Sequence, residues 1–188
     1  MMEGGFFSGQ MLIAMPGITD PRFERAVILV CAHDAEHAMG VAVNRPVEGL
    51  TVPDLLERLR ITATITVPPD LVVVGGPVER ERGFVVHTDD YRAEHSLAIS
   101  PGVALTATRE VLEAMASPGG HPRRALMALG YAGWGAGQLE DEIKRNTWLT
   151  CDADEALIFG HEHDRKWGRA LAKLGVDPER LSAAAGRA

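Results

Sequence analysis

The sequence predicts a single α+β domain with a mostly antiparallel, barrel-like sheet and about four helices interspersed among the strands. Three observations carry this expectation. Short apolar runs rich in β-branched residues dominate the first half, and residues 26–32 (AVILVCA) are apolar throughout, as in a strand buried on both faces. Strand runs come in clusters and helical patterns fall irregularly between them, without the alternation that builds a doubly wound sheet. The 188 residues, 46% of them apolar, suit one domain with a sizeable core. No biased linker or internal repeat divides the chain, so the domain is taken over 1–188, with its core at about 6–176 and a frayed tail at 182–188.

The elements follow in order. Residues 11–15 form a short strand ending at Pro16-Gly17. Residues 26–32 and 39–43 form strands joined by a connection short enough for an antiparallel hairpin, and Pro46 ends the second because proline cannot donate to a ladder. Thr51 caps the next helix, Asp54 completes a capping box, and Val52, Leu55, Leu56 and Leu59 share one face. Strands resume at 71–74, 84–88 and 97–100. A helix starting near Thr106 or Thr108 runs to Met115 and stops at Pro118-Gly119-Gly120. A buried strand at 125–129 enters a glycine-rich turn at 130–137, followed by a helix at 138–145 and strands at 148–151 and 156–159. The last helix spans 164–174, with Trp167, Ala170, Leu171 and Leu174 on one face, Gly175 at its C-terminal cap, and an Asp177-Pro178 start beyond.

Charge narrows the function classes. Nineteen Lys and Arg against 26 Asp and Glu leave a net charge of −7, the reverse of the basic surface that displaces counterions from phosphates. Direct nucleic-acid binding is therefore not expected, the one local basic excess lying after residue 160. The 2 cysteines, Cys31 and Cys151, sit in apolar runs and read as buried thiols. No basic leader precedes Glu3 and no apolar run approaches the roughly 18 residues that span a bilayer, so the cytoplasm is the expected compartment, with no membrane role.

Several polar groups at strand ends are candidates for a site. Gly133-x-Gly135-x-Gly137 joins a strand to a helix, where backbone N–H groups can face an anion. Its spacing is not that of a dinucleotide motif, and Glu140, Asp141 and Glu142 would repel a phosphate, so close packing over Trp134 is the simpler account. His33, Asp34 and His37 share one loop and His161 and His163 another, but neither has a zinc-binding pattern. His87, beside Asp89 and Asp90, has the makings of a general base with a carboxylate orienter, or of a structural histidine. Arg45 can hold an anion or pair with a neighbouring acid such as Glu48. The candidate ligand-binding residues are thus Asn44, Arg45, His33, His87, Trp134, Gly135 and Gln138. No catalytic residue, metal or cofactor is assigned.

Many ordered stretches resemble the YqgE/AlgH family of bacterial proteins. They include Gly9 to Pro16 (GQMLIAMP), Asp20-Pro21-Arg22-Phe23, Ala38-Met39-Gly40, Asn44-Arg45-Pro46, Gly75-Gly76-Pro77-Val78, Val86-His87, Gly130-Tyr131-Ala132-Gly133-Trp134 and Gly137-Gln138-Leu139-Glu140. One departure is His37, where the family pattern has glycine before Ala-Met-Gly; a left-handed backbone there would strain it. The resemblance implies an α+β domain of the bacterial cytoplasm, in a family commonly labelled transcriptional regulators, and it brings no catalytic residues. The resulting expectation is a non-enzymatic regulatory or binding protein that acts through a protein or small-molecule partner. The alternative is a small-molecule binder or small enzyme with its site around Asn44, Arg45, His33, His87 and the 130–138 turn.

Overall fold

The computed structural model describes residues 6–179; the tail expected to fray lies outside them. The strands are β1 (Gln10–Ala14), β2 (Val27–His33), β3 (His37–Ala42), β4 (Pro46–Thr51), β5 (Leu71–Val74), β6 (Val78–Thr88), β7 (Leu97–Ser100), β8 (Val103–Thr106), β9 (Ala125–Gly135) and β10 (Trp148–Asp152). The helices are α1 (Val52–Arg58), α2 (Arg109–Met115), α3 (Gln138–Lys144), α4 (Glu155–Phe159) and α5 (Lys166–Lys173). One curled sheet runs β10-β1-β2-β3-β9-β6-β8-β7, with β4 and β5 attached beside β9. All pairings are antiparallel except that of β5 with β9. The α+β class and the barrel-like sheet are therefore as expected, as a half-barrel with five helices rather than about four.

The extra helix is α4, where a strand was expected at 156–159. Its apolar run has the length of a strand, but Asp154 accepts hydrogen bonds from the amides of Ala156 and Leu157 and so caps a helical turn. β3 ends at Ala42, as expected before Asn44-Arg45-Pro46, and Pro46 then opens an unexpected strand, β4, opposite Val73, where a first strand residue needs no donor. α2 begins at Arg109 with Thr108 at its N-cap, as expected, after a second unexpected strand, β8, at 103–106. The glycine-rich segment is no turn as far as Gly135: it continues β9 alongside β3, with Gly133 opposite Met39 and Gly135 opposite His37. His37 starts β3, and it is not among the residues with positive φ.

Local signals act as read elsewhere. Thr51 and Asp54 form the reciprocal capping box of α1. α5 ends at Leu174, followed by left-handed Gly175 at φ 72°. In β2, Val27, Leu29 and Cys31 enter the inner core while Ile28 and Val30 face an outer cluster with Trp134, Leu139 and Trp148. Each such aliphatic burial contributes about 1.5–3 kcal/mol. α4 and α5 pack on the inner cluster, and α1 and α2 pack on a third cluster around Val72, Val85 and Met127. Both cysteines are free and buried, and burial pushes the Cys31 thiol up to about 12.

Candidate functional site

Four sequence candidates meet at the start of α3. Its N-cap is left-handed Gly137, which has no side chain to offer. Gln138 Oε1 instead accepts the Gly135 amide at 3.0 Å, while its Nε2 donates to Glu142 Oε2 at 2.9 Å. Glu142 Oε1 also accepts the indole N–H of Trp134 at 3.1 Å and of Trp148 at 2.9 Å. His33 Nδ1 accepts the Phe7 amide and its Nε2 donates to Glu140, both at 2.8 Å. The polar atoms of His33 and Trp134 are thus committed within the fold. Trp134→Phe, which removes one donor to Glu142 and some packing, is expected to lower unfolding stability by about 1–2 kcal/mol, read by urea denaturation.

Asn44 and Arg45 lie elsewhere and clamp the turn before β2. Asn44 accepts the Val27 amide at 3.0 Å and donates to the Arg25 carbonyl at 2.8 Å. The Arg45 guanidinium donates to the carbonyls of Pro21 at 2.9 Å and Glu24 at 2.6 Å, bonding there to backbone rather than to a carboxylate.

His87 stands apart from both groups, fully buried on β6. Its ring meets neither Asp89 nor Asp90 in a hydrogen bond; Nδ1 faces the Thr88 carbonyl at 2.8 Å and Nε2 faces Thr106 Oγ1 at 2.7 Å. Thr106 Oγ1 in turn lies 2.7 Å from Ser96 Oγ. Burial pushes the His87 pKa down, against the Thr88 carbonyl and the two aspartates, so the ring is neutral near pH 7.

A groove of about 640 Å³ opens where the inner core reaches the surface. Phe84 and Leu105 form its floor with Met39 and Tyr131, and Val78 and Leu97 stand on its rim. Residues 79–82 bulge out of β6, since Val78 pairs with Tyr131 but Gly83 with Leu129, and this bulge carries Arg82 over the Phe84 ring at 5.1 Å. Arg82 and the imidazoles of His37 and His95 line the groove, and no carboxylate joins them there, although Asp34 pairs with His37 and Glu79 with Arg82 outside it. Trp134 is the one sequence candidate on its wall.

Lys166 was not foreseen. It is 1% exposed, and its Nζ donates to the carbonyls of Val43 and Ile158, each at 2.8 Å. Its neighbour His163 is buried with Nδ1 unpartnered, and burial followed by the Lys166 charge pushes its pKa down. Among the described residues no three His, Cys, Asp or Glu side chains group as metal ligands. No helix among them is long and apolar enough to cross a membrane.

A family model described as AlgH-like matches residues 11–179. The chain belongs to the AlgH-like family. A UPF0301 protein of Caulobacter vibrioides is 62% identical to it over 187 residues, covering 99% of this chain and 96% of that one. Another, of Rhodospirillum rubrum, is 50% identical over 184 residues, covering 98% and 95%. The solution structure of the AlgH protein from Pseudomonas aeruginosa superposes with a TM-score of 0.75 at 37% identity, over 96% of this chain and 95% of that one. A crystal structure from Corynebacterium diphtheriae, 18% identical with a TM-score of 0.70 over 88% and 85%, shares the fold. Within this AlgH-like chain, the groove, the His87 chain and Lys166 carry no marker in local sequence spacing, because their partners come from different strands and helices.

Proposed function

We propose that this AlgH-like protein is a regulatory binding protein that holds a small amphipathic molecule in the groove between β3, β9 and the β6–β8–β7 strands. The observation that carries this is the clustering of exposed apolar surface. Of the exposed large hydrophobic residues Leu59, Val78 and Leu97 among the described residues, Val78 and Leu97 rim this one groove. Apolar surface that stays exposed beside a concavity is typical of a ligand site. The volume of about 640 Å³ lies in the range of small-molecule sites, and the Arg82 guanidinium with the imidazoles of His37 and His95 among an apolar lining gives an amphipathic ligand an orientation. The net charge of −7 favours regulation through such a ligand, or through a protein partner, over direct contact with DNA.

A naphthalene-sulfonate dye tests the reading, since it has an apolar body and one anionic group. Its fluorescence is expected to rise on binding the native protein. Leu97→Glu should abolish that rise while leaving the unfolding temperature nearly unchanged, because an exposed substitution of this kind shifts stability by only about 0.5 kcal/mol. Equal dye binding by parent and variant would remove the groove from consideration.

A second reading, a small enzyme, is favoured by one observation: the hydrogen-bonded chain from buried His87 to the half-buried hydroxyl of Ser96.

A further inference from the structure

The chain His87–Thr106–Ser96 has a direction set by its ends. The Thr88 carbonyl can only accept, so His87 Nδ1 carries the proton and donates at 2.8 Å. His87 Nε2 is then a bare lone pair, and Thr106 must donate to it at 2.7 Å. With its single proton committed, Thr106 Oγ1 is left as an acceptor, and Ser96 donates to it at 2.7 Å. The Ala93 amide fixes Ser96 from the other side, donating to its Oγ at 2.9 Å. The two histidine nitrogens and both hydroxyls therefore form one ordered path along which a proton can leave Ser96 and arrive on imidazole.

That path ends at open space. Ser96 is half-buried and lines a cavity of about 400 Å³. Ile99 and Val103 supply apolar wall, and Arg92 is the cation among the lining residues, beside Asp89 at 3.4 Å. This cavity and the groove have separate linings: His95 and Leu97 line the groove, while Ser96 and Ala98 line the cavity. A nucleophile oriented by a base, with a cation nearby for a developing oxyanion, is the minimum apparatus of acyl transfer.

We propose that Ser96 is a nucleophile that accepts acyl groups from esters entering this cavity, with His87 taking its proton through Thr106. Ser96 Oγ forms a bond to the carbonyl carbon as the bond from that carbon to the leaving oxygen breaks. The Ser96 proton passes to Thr106 Oγ1, the Thr106 proton passes to His87 Nε2, and the leaving group departs as its oxyanion. Arg92 balances charge on the carbonyl oxygen during the addition. Ser96 is the group that touches substrate; Thr106 and His87 act through it. This inference does not depend on the groove binding any ligand.

The probe is p-nitrophenyl acetate, with phenolate release followed by absorbance and the acetyl group located by peptide mass spectrometry. The expected result is a single acetyl group on Ser96, absent in Ser96→Ala. Thr106→Val, which cannot pass a proton, should slow acetylation of Ser96 by roughly a hundredfold. Thr106→Ser, which keeps the hydroxyl, should restore it, a recovery that a purely structural role for Thr106 would not require. Acetyl groups confined to lysines or the N-terminus of the parent protein would overturn the proposal, whether or not any variant folds. So would Thr106→Val acetylating Ser96 at the parent rate.

Discussion

Gly76→Ala is expected to abolish the native fold or to destabilise it by more than about 4 kcal/mol. A Cβ at Gly76 would lie 2.1 Å from the Tyr131 carbonyl carbon, 2.2 Å from its oxygen and 2.4 Å from the Ala132 nitrogen. All three are backbone atoms of β9 and cannot swing aside as a side chain end would. Gly75 beside it donates its amide to the Leu129 carbonyl at 2.7 Å and accepts the Ala42 amide at 2.7 Å. The segment is thus pinned on both sides while it crosses β9, and relief would require breaking the sheet where β3, β5 and β6 converge. Overpacking in a side-chain core costs about 1–3 kcal/mol; backbone against backbone exceeds it. Gly168→Ala is the control, with the opposite sign. Gly168 is exposed in α5 with nothing within 4 Å of an added Cβ, so alanine should stabilise the protein by about 0.5–1 kcal/mol. Urea unfolding of both variants reads the contrast, and a Gly76→Ala protein as stable as the parent would contradict the close approach.

The second large effect is a pH dependence from Lys166. Burial lowers its pKa from 10.5 to about 7. The two carbonyls that it meets match the two N–H donors of a neutral amine, so the folded protein disfavours the third proton. The sign follows from proton counting. Between about pH 7 and 10.5 the unfolded chain keeps that proton and the folded one has released it, so stability rises with pH through this window. The slope approaches about 1.4 kcal/mol per pH unit, which sums to roughly 3–5 kcal/mol over the window. Below about pH 7 both states are protonated and this contribution is flat. Lys166→Met should remove the rise. It also leaves the Val43 and Ile158 carbonyls without a donor, but that loss offsets stability equally at every pH. Denaturation between pH 6.5 and 9.5 separates the two effects, and parallel curves for parent and variant would show that Lys166 titrates normally.

Much of the fold was legible because local chemistry and global packing agree. The apolar run of β2 is buried on both faces, the Thr51–Asp54 box starts α1, and Gly175 closes α5. Legibility failed where a local signal had two meanings. Pro46 follows the end of β3, as read, but it is also the first residue of β4, and only its pairing with Val73 shows this. The apolar run at 156–159 suits either element, and the Asp154 cap decides. The glycines at 130–135 read as a turn, yet they let β9 run against neighbours that come too close for larger residues, as Gly130 does beside the Gly76 carbonyl. Of the candidate residues, Trp134, Gly135 and Gln138 gather with His33 around α3, whereas Asn44 and Arg45 serve the turn before β2. Lys166 stayed hidden because one of its carbonyl partners is 123 residues away, and Ser96 because its relation to His87 runs through Thr106 on a third segment.

The position of β9 has a consequence for the order in which this chain can be assembled during synthesis. β9 joins β3, β5 and β6, all of which leave the ribosome before it. β10 follows it and closes on β1, near the other end of the domain. Until residue 135 has emerged, the earlier hairpins expose unpaired edges with no strand to bridge them, and the inner core lacks Leu126 and Ala128. Sheets dominated by such distant pairings fold over milliseconds to seconds, slowly enough for exposed edges to meet other chains. A nascent chain of this protein therefore cannot complete its sheet until β9 has emerged to join β3, β5 and β6, and β10 after it to pair with β1.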